Sequence, residues 1–231
     1  MAHLDPWVLA LALSALSPRG APPGVGHVTA QDRIVAAAEA YLGKPYVFGG
    51  RDGRPGCGRR RCNQGIDCLG LIFFAFEKAL GIPWRRFSVT PSVLIRHRQL
   101  GVPVNGLNRV LTADLDRSLL RKGDVLLFLE RDGVETDKPA LVRGGDAYYV
   151  WHTALVDSAV DGRVLVIEAK PGDHVVIEPL DAVPFDALIA LRLPPARRRS
   201  RLRPIRPNLA PRDGSARGAN AVSRGRALAP R

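Results

Sequence analysis

From Gln31 to Leu42 the stretch QDRIVAAAEAYL sets apolar residues at Ile34, Val35, Ala38, Tyr41 and Leu42. That is the spacing of one helical face, and Gly43 and Pro45 end it. PYVFGG then opens a glycine-rich loop that runs to Gln64. Asp67 stands where an N-cap would, and Cys68 to Leu80 is apolar almost all round, closed by Gly81 and Pro83. Such a helix is expected to be the buried central one. Residues 84–122 mix polar and apolar positions, with weak helical stretches in TPSVLIRHRQL and LTADLDRSLL. Beyond them the period shortens to two. GDVLLFLE (123–130), YYVWHTALV (148–156), GRVLVIEA (162–169), HVVIEPL (174–180) and ALIALRL (187–193) read as strands at near-hairpin spacing, an antiparallel meander of about five. A polar, Gly-rich loop long enough to cap a cleft lies between Glu130 and Tyr148. Helices first and strands after predict an α+β domain.

The two ends depart from this patterning. WVLALALSAL, Trp7 to Leu16, is an apolar run too short to span a bilayer as a helix but fit for the core of a signal peptide. VTA before Gln31 has the small-x-small form of a cleavage site, although Asp5 and the lack of an early Lys or Arg run against it. Residues 1–30 are therefore expected to be a leader or flexible extension, residues 31–195 the folded domain, and residues 196–231 a disordered tail. The tail is rich in Arg, Pro, Gly and Ala and too poor in apolar residues to offset the entropy of ordering. It also changes the meaning of the charge. The chain carries +12 formally, but residues 197–231 hold eleven arginines and one acid, Asp213, so the remaining body carries only +2. A near-neutral body with a basic tail argues against a specific nucleic-acid face and leaves an anionic envelope polymer as a partner for the tail.

The chemistry concentrates around three cysteines. Cys57 and Cys62 bracket CGRRRC and could pair in an exported chain, which leaves Cys68 alone. Their spacings do not match a zinc knuckle, so no metal and no cofactor are expected. A thiol at a helix start feels the positive end of the dipole, which favours the thiolate. A thiolate nucleophile needs a base and a group to orient that base. Of five histidines, His3 and His27 fall in the leader or linker, and His97 reads as a surface helical residue. His152 lies within a strand. Glu168, by alternation on the opposite face from Ile167, lies at the end of the next strand and could accept the second imidazole N–H. Glu178 and His174 are weaker candidates on the strand that follows.

YLGKPYVFGG, GIDCLGLIFFAF, KGDVLLF, WHTALV and VIEA, in that order from about Ala36 to Leu193, resemble the NlpC-type cell-wall peptidases. The resemblance implies a papain-like fold, with the nucleophile helix packed on an antiparallel sheet. It also implies roles: Cys68 as nucleophile, His152 as general base, Glu168 as third member, Tyr46 on the oxyanion side, and Asp67 as an acid that holds a substrate amino group. It implies an exported hydrolase of peptidoglycan stem peptides. Leu69 departs from the family's serine, the segment before Asp67 is longer, and about twenty residues are inserted before the histidine strand, so the substrate pocket is expected to differ. Two other readings stay open: an amidase or thiol acyltransferase acting on a non-wall substrate, and a non-catalytic envelope-binding module with a merely buried Cys68.

Overall fold

A computed structural model describes residues 28–52, 65–133 and 137–194. The leader core, the Cys57/Cys62 loop and the Arg-rich tail lie outside the described residues.

Three helices and seven strands make up the α+β domain. Helix α1 (Ala30–Glu39) starts one residue earlier than its pattern predicts because Thr29 caps it. Its Oγ1 accepts from the Asp32 N–H at 3.1 Å, while the Asp32 carboxylate accepts from the Thr29 N–H at 2.9 Å, a reciprocal capping box. Helix α2 (Cys68–Leu80) has the predicted bounds. Asp67 accepts from the Gly70 N–H at 2.6 Å, and Gly81 ends the helix at φ 70°, a left-handed position that costs glycine nothing. Residues 71–76 of α2 are all buried.

Strands β1 (Val102–Leu111), β2 (Val125–Arg131), β3 (Leu141–Arg143), β4 (Asp146–Val160), β5 (Arg163–Ala169), β6 (Val175–Pro179) and β7 (Ala187–Arg192) form one antiparallel sheet. Its order is β1-β7-β2-β4-β5-β6, with β3 paired to β4. The segment from β2 to β6 is the expected meander, but β7 returns to lie between β1 and β2. The sheet is covered on both faces. Val125, Leu127, Leu129, Leu155 and Ile167 pack with α1 and α2, and Leu126, Phe128, Ala154, Val156 and Val166 pack on the other side. This two-sided burial explains why VLLFL in β2 is apolar without alternation.

Two strands escape the periodicity. β1 occupies part of the region read as weakly helical, where the helix α3 takes only Pro91–Arg96. β1 carries Gly106 and Arg109 at positive φ, and its register against β7 shifts twice. The shifts disrupt the period-two pattern that would have revealed it. The loop expected between Glu130 and Tyr148 instead extends β2 and supplies the short β3, which pairs with the early part of β4.

Candidate active site

The loop before α2 is built to bring the helix start against the sheet. The Tyr46 N–H donates to the Asp173 carbonyl at 2.9 Å, and the Ile66 N–H donates to the Pro45 carbonyl at 3.0 Å. The chain passes so close here that a Cβ on Gly65 would stand 2.3 Å from the Pro45 carbonyl oxygen, so only glycine fits. Asp67, buried at the helix cap, accepts from the Gly70 N–H through one oxygen. The other accepts from the Gly49 N–H at 3.0 Å and meets Arg51 Nη1 at 2.5 Å. Arg51 in turn donates to the Gly50 carbonyl at 2.6 Å. This pair welds the GG loop to the start of α2.

Cys68 is the first residue of α2 and is half-buried. On β4 the pairing passes from Phe128↔His152 to Leu129↔Val150, so Trp151 is an extra residue in a β-bulge. The bulge breaks the alternation, and Val150, Trp151, His152 and Thr153 all line one cleft with Cys68. His152 is 1% exposed, with its ring between Phe128 and Trp151 at centroid distances of 5.9 and 5.0 Å. Its Nε2 is hydrogen-bonded to Oε2 of Glu168, which is also buried. Nδ1 is buried and, among the described residues, makes no hydrogen bond.

The electrostatics follow from this arrangement. Burial pulls the pKa of His152 down, but Cys68 and Glu168 beside it more than offset that and hold it up at about 9. Burial would raise Glu168, yet its hydrogen bonds with His152 and Glu178 outweigh the effect and keep it below the ordinary carboxylate range. Tyr46 is pushed above the usual phenol range, first by burial and then by the negative groups at Cys68 and Asp67, so its hydroxyl stays a donor at neutral pH.

The cleft is about 470 Å³. Phe48, Leu69, Trp84, Val89, Pro91 and Trp151 give it an apolar wall, with Phe48 and Val89 standing exposed on it. Of the residues expected at a site, Cys68, Leu69 and His152 line this cleft, and Glu168 lies behind His152. Tyr46 lies near enough to Cys68 to feel its charge but is not among the described residues lining the cleft. Asp67 lines the cleft with both oxygens already engaged. His97 and His174 are exposed, and His174 is paired with Asp173. Sequence reading did not single out Arg51, Phe48, Trp84 or Trp151. For Trp151 the only signal was its place beside His152, because a bulge leaves no mark in composition. Among the described residues, no group of three or more His, Cys, Asp or Glu side chains is placed to hold a metal.

A half-buried cysteine at a helix start, a sheet histidine and a carboxylate behind that histidine thus lie together at this end of the fold. No family model matches the chain. Over 54 residues it is 43% identical to a gamma-DL-glutamyl hydrolase of Bacillus subtilis, spanning 23% of this chain and 11% of that protein. Over 90 residues it is 32% identical to a probable endopeptidase, YafL, of Escherichia coli, spanning 39% of this chain and 26% of that one. The chain thus matches only about a tenth and a quarter of the length of these curated relatives. Among solved structures, an N-acetylmuramoyl-L-alanine amidase from Bacteroides uniformis superposes with a TM-score of 0.50 at 12% identity, over 71% of this chain and 98% of that one. That likeness supports the fold class alone. The resemblance to the NlpC-type cell-wall peptidases is borne out by these relatives. Among the described residues, no helix is long and apolar enough to cross a membrane.

Proposed function

We propose that the chain is an exported cysteine peptidase or amidase that hydrolyses an amide bond in the stem peptides of bacterial peptidoglycan. One observation carries the reading. His152 is buried beside Cys68, its Nε2 is held by Glu168, and its Nδ1 has no partner. An imidazole oriented through one nitrogen and open at the other is what a thiol nucleophile requires.

In this mechanism His152 takes the Cys68 proton, and the resulting thiolate attacks the carbonyl carbon. The Cys68 N–H at the start of α2, which has no acceptor within the helix, and the Tyr46 hydroxyl stabilise the oxyanion. His152 returns the proton to the leaving amine, and water, with His152 as base, then hydrolyses the thioester. Glu168 fixes the ring throughout. Asp67, already bound by Gly49, Gly70 and Arg51, holds the loop and helix start together. The apolar wall makes the cleft suited to an uncharged part of a substrate. Residues 31–195 are the catalytic domain in this reading, and the basic tail keeps the enzyme near an anionic envelope.

The test is digestion of purified peptidoglycan by wild type and by Cys68→Ala, with products identified by mass. New stem-peptide ends with wild type and none with the variant are expected. Intact stem peptides with both proteins would refute the proposal, and fast labelling of Cys68 by iodoacetamide in that case would favour an amidase or acyltransferase with another substrate.

A further inference from the structure

The carboxylate behind the histidine does not stand alone. Strands β5 and β6 pair with Val166 opposite Glu178 and Glu168 opposite Val176, so Glu168 and Glu178 are diagonal neighbours on one face of the sheet. Glu178 Oε2 accepts from Lys170 Nζ at 2.6 Å. Glu178 Oε1 is buried and has no donor among the described residues. Two carboxylates this close do not both ionise freely unless something neutralises them. Lys170 reaches Oε2 alone and leaves Oε1 facing the Glu168 side without a donor, while His152 engages Glu168 from the other side.

We propose that Glu178 is a positioning residue of the site: its carboxyl group, anchored through Oε2 to Lys170, carries a proton on Oε1 and donates it in a hydrogen bond to Glu168. The inference rests on the reading of Cys68, His152 and Glu168 as the reacting group. The chain of contacts then runs Lys170, Glu178, Glu168, His152, Cys68, from a half-buried cation to the thiol. The proton preferences agree with it. Glu178 is raised above the usual carboxylate range, first by its hydrogen bond to Glu168 and then by burial, while Glu168 is lowered. These directions favour Glu178 over Glu168 as the holder of a shared proton. The charged groups facing Glu178 are Glu168 and Lys170, and Asp173 acts on Lys170 in turn. Glu178 would touch neither substrate nor thiol, so its effect passes entirely through Glu168.

Alkylation of Cys68 by iodoacetamide, followed against pH in the full chain, reads the state of His152 without any substrate. In wild type the labelling profile should show an edge near pH 9, where His152 loses its proton. Glu178→Leu removes the donated bond and is expected to lower that edge by about one pH unit. It should also lower kcat about tenfold while KM changes less than about twofold. Glu178→Gln can donate its amide N–H to Glu168 and accept from Lys170, and is expected to recover most of both losses. An unmoved edge in Glu178→Leu overturns the proposal, and so does a Gln variant shifted as far as the Leu variant. A loss of melting temperature in both variants with no change in the edge would mean packing only, and overturns it as well. If wild-type Cys68 labels no faster than an unfolded thiol, it is the nucleophile reading that fails, so the two failures are distinguishable.

Discussion

Two buried acid–base pairs lie in the same sheet and differ in what they leave open. Asp124, at the start of β2, is 0% exposed. It accepts from Arg192 Nε at 2.7 Å, from Arg192 Nη2 at 2.6 Å and from the Arg121 N–H at 2.9 Å. Arg192 also donates to the Leu119 carbonyl at 2.8 Å. This network is saturated and ties β2, β7 and the preceding turn together. His152 and Glu168 are buried as deeply, yet His152 Nδ1 has no partner and lies in a wall of the cleft. A satisfied buried pair fixes structure, whereas a buried pair with one open nitrogen beside a thiol stores reactivity. The KGD block that contains Asp124 reads as part of the same signature as the cysteine and histidine blocks, but its role here is architectural.

Breaking one member of each pair should separate the two roles. His152→Ala is expected to lower peptide hydrolysis about 10³-fold or more, with thermal melting near wild type apart from the cost of a cavity. Asp124→Ala should behave the opposite way. It leaves the Arg192 guanidinium without its bidentate acceptor and the Arg121 N–H unpaired, and should cost about 3 kcal/mol of stability. Below its melting range, kcat should change little. Urea unfolding and single-turnover kinetics on both variants measure the contrast. Equal stability losses, or a large loss of kcat in the folded Asp124 variant, would erase the distinction.

A pH series sharpens the same comparison with a smaller effect. His152 is held at about 9, above its ordinary value of 6.5. A group whose pKa is raised by folding contributes stability that is fully present below its unfolded pKa and is lost as pH rises through the folded one. Stability from the His152–Glu168 pair should therefore be complete below about pH 6.5 and decline to its loss above about pH 9. The alkaline limb of the reaction should fall in the same region. The Asp124–Arg192 pair gives no such decline, because guanidinium stays charged throughout that range. Chemical denaturation of wild type and His152→Ala between pH 6 and pH 10 tests this. A difference between them that stays constant across that range would contradict the account.

The sequence makes helix α2 legible from its own chemistry. Asp67 caps, Gly81 ends, and an unbroken apolar run lies between, so α2 has the bounds that local rules predict. The strands of the meander are legible because β-branched runs alternate with turn residues. β1 is not, since its irregular pairing with β7 and its positive-φ residues remove the alternation. The proposed site was legible as residue types in order, Cys68, His152 and Glu168, which the fold sets next to one another. Its detailed wiring was not. Arg51 meets Asp67 because the GG loop folds back on the helix start, and Trp151 joins His152 in the cleft because of a bulge. Both depend on tertiary geometry that no spacing in the chain encodes.

The smallest expected effect concerns the cleft wall rather than either pair. Leu69 follows Cys68, lines the cleft and packs partly against the core around α2. The acid beside it, Asp67, has both oxygens occupied. A free substrate amine near Leu69 would therefore meet an apolar surface and a carboxylate that already has partners. Capping that amine by acetylation removes a charge the cleft does not solvate. Acetylated stem peptides are accordingly expected to be better substrates than their free-amine forms, and Leu69→Ser should narrow the gap in kcat/KM by about five- to tenfold. The effect should fall mainly on KM, because Leu69 touches the bound group and not the reacting bond. Paired kinetics on one peptide with and without the cap, alongside a melting curve to check the lost packing, decide the matter. A free-amine peptide preferred by wild type would show that the apolar wall does not set the choice.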